Sequence, residues 1–247
     1  MSKKLLLNND EYNSNLIAKY TSKTQGLRPT FNDGYNYTVT KEELVNGIYE
    51  VELSADTDFS HVDFNGKTDL LTVDYLKVTD KTTDTSSMFY VCTKLTNVNT
   101  SNWVTSNVTN MSYMFANCNA LTSLDLSNFD TSKATSMNNM FRNCNKITLL
   151  NISNFDTKNV TSMAHMFNGC SRLTQLDVSN FDTSKVTDMT NIFYNCLSLT
   201  DLYISNWTDL EKSQTAINIL PVGDDSHNII HTNLNLTPPS GWTISSE

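Results

Sequence analysis

Five cysteines, at 92, 118, 144, 170 and 196, are the residues best suited to chemistry here, and they fall on one ladder with a step of 26. A disulfide requires two thiols facing each other, and a structural zinc site requires four converging ligands. One Cys per step supplies neither, and an odd number cannot all pair. Each Cys follows a Phe by three residues on an apolar face, so the ladder predicts buried, reduced thiols packing as small hydrophobes. His227 and His231 stand four apart with Asp224 and Asp225 just upstream, the spacing of a metal pair on a helix. Pro221, Gly223 and the Asn-rich surroundings predict a loop instead, so no metal site is expected, and His61 and His165 stand alone. Asp130, Asp156 and Asp182 form a further ladder, and Asp125 and Asp177 another, interrupted by Asn151. A carboxyl pair for glycoside cleavage needs two unlike environments, whereas a ladder repeats one. The first set is expected to cap turns, with bound calcium as the alternative. No nucleophile–base arrangement recurs, and seven glycines leave little material for a phosphate-cradling loop. The expectation is a protein that is not an enzyme and needs no cofactor.

The same step organises everything that would position these residues. It carries Phe89, Phe115, Phe141, Phe167 and Phe193, preceded by Met88, Met114, Met140, Met166 and Ile192. Ser101-Asn102-Trp103 recurs as Ser127-Asn128-Phe129, Ser153-Asn154-Phe155, Ser179-Asn180-Phe181 and Ser205-Asn206-Trp207. Within one copy the pattern changes period. Leu121, Leu124 and Leu126 end in alternation, which suits a short strand with Ser123, Asp125 and Ser127 outward. Ala134, Met137, Met140, Phe141 and Cys144 mark one face of a short helix or 3₁₀ segment. Neither piece can bury its apolar face alone, whereas stacked copies make a continuous core and a parallel sheet. Eight of the nine methionines fall on two of these ladders and read as core.

The string Leu-Thr-x-Leu-Asp-Leu-Ser-Asn-Phe-Asp-Thr-Ser-Lys-Ala-Thr-x-Met-x-x-Met-Phe-x-Asn-Cys at 121–144 resembles the BspA-like leucine-rich repeat, also found in mycoplasma surface proteins. The resemblance covers residues 86–210. It implies a fold of α/β class: a leucine-rich-repeat solenoid of parallel strands and short convex helices, used for adhesion or recognition, with no catalytic residues to carry over. The sequence departs from ordinary leucine-rich repeats by placing Trp103, Phe129, Phe155, Phe181 and Trp207 where the usual Asn ladder stands.

The ends lack the repeat. Residues 1–30 are polar and read as an N-terminal arm, and 31–85 as a β-rich cap or docking domain. Strand-like alternation lies at 35–39 and 48–53, and Asn65-Gly66 suggests a hairpin turn between Val62-Asp63-Phe64 and Leu70-Leu71. Residues 211–247, punctuated by Pro221, Pro238, Pro239 and Gly241, read as an irregular C-terminal cap.

The 17 basic and 26 acidic side chains give a net charge of −9, which argues against a phosphate-binding surface and hence against nucleic acid. No apolar run reaches the roughly 18 residues of a membrane span, so no membrane insertion is expected. Read as the native start, Met1–Asp10 carries only three leucines after its lysines, short of a signal-peptide core. The outward strand row is small and polar, and its candidate binding residues on the concave face are Asp125, Asn151, Gln175, Asp177, Asp201 and Tyr203. Together these features predict a structural or attachment protein on a bacteriophage virion, partnered by virion proteins or by a host-surface protein or glycan. A bacterial cell-surface adhesin is the alternative setting, and an oligomer is compatible with either.

Overall fold

The computed structural model describes residues 15–31, 36–55, 58–221 and 228–246. Its first half contains β1 (Leu16–Ser22), β2 (Thr30–Phe31), β3 (Thr38–Val45), β4 (Ile48–Ser54), β5 (Val62–Asp63) and β6 (Leu70–Leu76). The single-strand rungs that follow are β7 (Asn97–Val98), β8 (Ser123–Asp125), β9 (Leu149–Asn151), β10 (Gln175–Asp177) and β11 (Asp201–Tyr203). Helix α1 (Leu210–Ile217) and strands β12 (Asn228–His231) and β13 (Trp242–Ser245) complete the chain. Among the described residues the chain forms a β-solenoid of about six turns with one short helix.

The rung strands pair in parallel, β6 with β7, β8 with β9 and β10 with β11, in three separate sheets. Ser123, Leu124 and Asp125 pair with Leu149, Leu150 and Asn151, and Gln175, Leu176 and Asp177 with Asp201, Leu202 and Tyr203. In each of β8 to β11 the middle leucine is buried, as period-2 alternation requires. Inside, Phe64, Phe89, Phe115, Phe141, Phe167 and Phe193 form one stack with centroids 5.5–6.1 Å apart, beside which Trp103 packs on Phe89 and Trp207 on Phe193, each at 6.2 Å. Trp103, Phe129 and Phe155 form a second.

The expected convex helices are replaced by stacked turns. In the rung 137–144, Met140 N–H donates to Met137 O, Arg142 N–H to Asn139 O and Cys144 N–H to Phe141 O, each an i to i−3 turn bond. The intervening N–H groups of Met137, Asn139, Phe141 and Asn143 cross instead to Ser162, Ala164, Met166 and Asn168 of the next rung, at 2.7–3.1 Å. Asn139 (φ 59°) and Asn143 (φ 56°) are left-handed and occupy the third position of their turns, where a type II turn needs positive φ. A helix cannot pass through such residues, and it would keep every N–H within its own segment. Met137, Met140, Phe141 and Cys144 all remain buried, so the three-residue spacing that suggested a helix is met equally by the turns.

The solenoid starts earlier than the cysteine ladder suggests. Phe64 stacks on Phe89 at 5.8 Å and 10°, Phe64 N–H donates to Met88 O and Gly66 N–H to Tyr90 O. Residues 62–76 are therefore a degenerate first rung, with β6 parallel to β7. Asn65-Gly66 is a rung turn rather than a hairpin turn: β5 pairs with β2, while β6 pairs with β1. Phe64-Asn65-Gly66 repeats Phe167-Asn168-Gly169 in sequence, and Gly66 takes the left-handed conformation of Gly169.

The polar-arm expectation for 1–30 is corrected over its described part. β1 is the middle strand of the sheet β3-β4-β1-β6-β7, with Ile17, Ala18 and Tyr20 fully buried. The strand expected at 48–53 is β4; of the one at 35–39, β3 begins at Thr38 and Tyr35 lies outside the described residues. The C-terminal segment also contributes order: β12 and β13 extend the parallel sheet beyond β11, and Asp209 caps α1 by accepting from Lys212 N–H.

Candidate recognition face

All six residues singled out from the sequence lie on the outer side of the stacked strands. Asp125 stands beside Asn151 and, in a separate sheet, Asp177 beside Tyr203; in the neighbouring positions Ser123 pairs with Leu149 and Gln175 with Asp201. Register places His231 beside Tyr203 and Ile229 beside Asp201. His231 is thus a member of this face that sequence reasoning missed, since the loop before β12 hides its register. The Tyr203 and His231 rings lie parallel, 3.9 Å apart at 1°. His231 Nε2 sits 3.8 Å from Asp201 Oδ1, whose other oxygen accepts from the Thr200 hydroxyl at 2.8 Å. Leu149, an apolar group on this face, is 70% exposed.

Local turn chemistry fixes the acidic column. Asp125, Asn151 and Asp177 each accept the N–H two residues on, from Ser127, Ser153 and Ser179, at 2.9–3.2 Å. These are Asx turns, which carry the chain off the strand into the next corner. Hydrogen bonds from the Ser127 backbone and hydroxyl hold the Asp125 carboxyl below its ordinary range, so it is ionised at neutral pH. Asp130, Asp156 and Asp182 do the same at the following corner, accepting from Ser132, Lys158 and Ser184. The turn capping expected of the Asp130 ladder is thus present, and the structure shows the same turn at the Asp125 ladder. One residue before the aromatic, an Asn ladder does stand: Asn154 Nδ2 donates to Leu126 O and Phe129 O, and Asn180 Nδ2 to Ile152 O and Phe155 O.

The cysteine ladder is buried and free of bridges. Each thiol donates across the rungs, Cys144 Sγ to Phe115 O at 3.1 Å and Cys170 Sγ to Phe141 O at 3.2 Å. Desolvation pushes the Cys144 thiol up to about 12 and Cys118 and Cys170 well above their ordinary value, which leaves no thiolate for nucleophilic or metal chemistry at neutral pH. His227, Asp224 and Asp225 lie outside the described residues, and among the described residues no group of three or more His, Cys, Asp or Glu side chains could hold a metal ion. His61 is not isolated: its ring lies 3.3 Å from Asp63 and 3.1 Å from Asp84 O, and the Asp63 hydrogen bond raises its pKa.

Residues 57–149 and 125–220 each match the family described as "Mycoplasma protein of unknown function, DUF285". Together the matches span 57–220, more than half of the chain. The chain belongs to this family. The DUF285 match begins just ahead of the degenerate first rung at 62–76, so the family unit includes that rung as well as the cysteine-bearing ones. No curated protein and no solved structure matches the chain. Among the described residues, no helix of this DUF285 protein is long and apolar enough to cross a membrane.

Proposed function

We propose that this protein is a non-catalytic attachment or structural protein displayed on a bacteriophage virion, with the strand face recognising a protein or glycan. The observation that supports this most directly is the outward face itself. Asp125 and Asn151 stand in register in one sheet and Asp177, Tyr203 and His231 in the next, flanked by Gln175 and Asp201. Repeated hydrogen-bonding groups at a spacing of about 4.8 Å suit an extended, polar ligand contacted weakly at many points. With few aromatic anchors the face is not built as a tight hot spot. Its partners on this reading are virion structural proteins at one end and a host-surface protein or glycan at the strand face.

Membership of a family described from mycoplasmas favours a second setting, a bacterial cell-surface adhesin of the BspA-like leucine-rich-repeat kind. Antibody raised against the full chain separates the two: it should label purified virions rather than intact cells. The recognition step is tested on host cells with Asp177→Ala and Tyr203→Ala, which should each weaken cell binding at unchanged melting temperature. Equal binding by both variants would refute the face.

A further inference from the structure

On the side opposite the strand face, the solenoid has its own short parallel ladder. Asp84, Asn110, Ser136, Ser162 and Asp188 are bridged in sequence, one per rung. Each junction carries two main-chain bonds. Thr187 N–H donates to Thr161 O at 2.8 Å, and Met163 N–H donates to Asp188 O at 2.9 Å. After Asp188 the ladder stops, because the chain turns through Trp207 into α1 instead of laying down another rung. Thr187 O and Met189 N–H, the two groups that would continue this ladder, have no hydrogen-bond partner among the described residues, and neither do the Asn191, Phe193 and Asn195 N–H groups further along the rung. Thr187 and Met189 line a cavity of about 320 Å³, which Asp209, Glu211 and Lys212 of the α1 N-terminus also line.

We propose that this cavity binds an extended peptide segment of a partner protein, added as the missing parallel rung, with Lys or Arg in the Asp188 column. One peptide N–H donates to Thr187 O, and the carbonyl of the next residue accepts from Met189 N–H, repeating the junction directly above it. This is β-strand addition, in which main-chain bonds give affinity and the side-chain pocket gives selectivity. The walls set that selectivity. Asp188, Asp209 and Glu211 are acidic, and Lys212 is already paired with Asp209 at 3.1 Å, so net negative charge remains for a basic side chain. The site is separate from the strand face and does not depend on what that face binds.

The probe is the blocked pentapeptide Val-Thr-Lys-Met-Thr, the 186–190 sequence with Lys in the Asp188 column, titrated into the full chain by isothermal calorimetry or fluorescence polarisation. Saturable binding is expected. Methylating the backbone nitrogen of the second residue, or replacing Lys by Glu, should weaken it at least tenfold. In the protein, Asp188→Asn and Glu211→Gln should each weaken it severalfold. Thr215→Trp, which fills the cavity from an exposed α1 position without touching the ladder, should abolish it at unchanged melting temperature. The proposal is overturned by an absence of saturable binding, by equal binding of the methylated peptide, or by full binding to the Thr215→Trp variant.

Discussion

Gly169→Ala tests the turn stack at its tightest point. Gly169 has φ +76°, and a Cβ built there would lie 2.3 Å from Asn143 Oδ1 and 3.3 Å from Asn143 Cα. The left-handed backbone costs an alanine about 1–2 kcal/mol, offset by about 0.4–1 kcal/mol through the stiffer unfolded chain. The contact must also be relieved. Asn143 Oδ1 can move only by turning its amide, and that amide donates through Nδ2 to Asn117 Oδ1 at 2.8 Å. Breaking the bond adds about 0.5–1.5 kcal/mol, for a total near 2 kcal/mol. In an Asn143→Ala background the side-chain clash is already gone, so Gly169→Ala should cost only about 1 kcal/mol there, a coupling of about 1 kcal/mol. Urea denaturation of the four proteins of this cycle, followed by circular dichroism, measures it. Equal costs in the two backgrounds would refute the account, as would stabilisation by Gly169→Ala alone.

Cys144→Ser should cost less than about 2 kcal/mol, because the new hydroxyl inherits the Phe115 O acceptor, and Cys144→Ala should cost no less; intact mass under non-reducing conditions should show five free thiols. Asp125, Asp130, Asp156, Asp182 and Asp188 all have carboxyl pKa values below the ordinary one, so as pH falls the unfolded chain takes up protons first. Their contribution is present above the unfolded value of about 4 and is lost below it, which a melting series from pH 7 to pH 3 should display as a decline confined to the acid end. Deleting residues 1–22 removes the central strand β1 and should lower the melting temperature and expose apolar surface to a hydrophobic dye; unchanged melting would contradict the sheet order described here.

The parallel solenoid was legible because every rung repeats its chemistry at one step, and burial then follows from stacking. Leu124, Phe141 and Cys144 are inside for the same reason as their counterparts one rung away. The turn stack was not legible from apolar spacing, since residues three and four apart share a face in a helix and in a run of turns alike. The usable signal lay in the polar positions between them: Asn139 and Asn143, or His165 and Gly169, stand four apart where the left-handed region is visited. Asn and Gly tolerate that region, whereas a helix interior disfavours both. The first rung escaped notice because Lys67 stands where later rungs have Cys, leaving only Phe64-Asn65-Gly66 to mark it. β1 was hidden by composition: Lys19, Thr21 and Ser22 make its second half look polar, yet Tyr20 and Ser22 are fully buried. The recognition column was legible through Tyr203, but its extension to His231 depends on a longer loop that breaks the step.

The two ends show how the repeat is closed. At the N-terminal end, residues 61–66 satisfy the carbonyls of the next rung: Phe64 N–H bonds Met88 O, Gly66 N–H bonds Tyr90 O, and the His61 ring reaches Asp84 O. At the other end the strand side continues through β12 and β13 while the turn side stops. The internal threonines record that stop. Thr131 and Thr157 each bond both the N–H and, through their own hydroxyls, the O of the aspartate one rung on. Thr183, next in that series, is buried with its hydroxyl unpaired among the described residues. Trp207, the aromatic of this rung, packs beside Phe193 as Trp103 does beside Phe89, and donates its indole N–H to Val178 O at 3.0 Å. A terminal rung must cover the aromatic stack but need not satisfy every polar ladder, since a lost hydrogen bond costs about 1 kcal/mol and an uncovered Phe side chain costs about 1.5–3 kcal/mol. That ordering explains why the chain closes its core with Trp207 and α1 while leaving Thr187 O and Met189 N–H open to a partner.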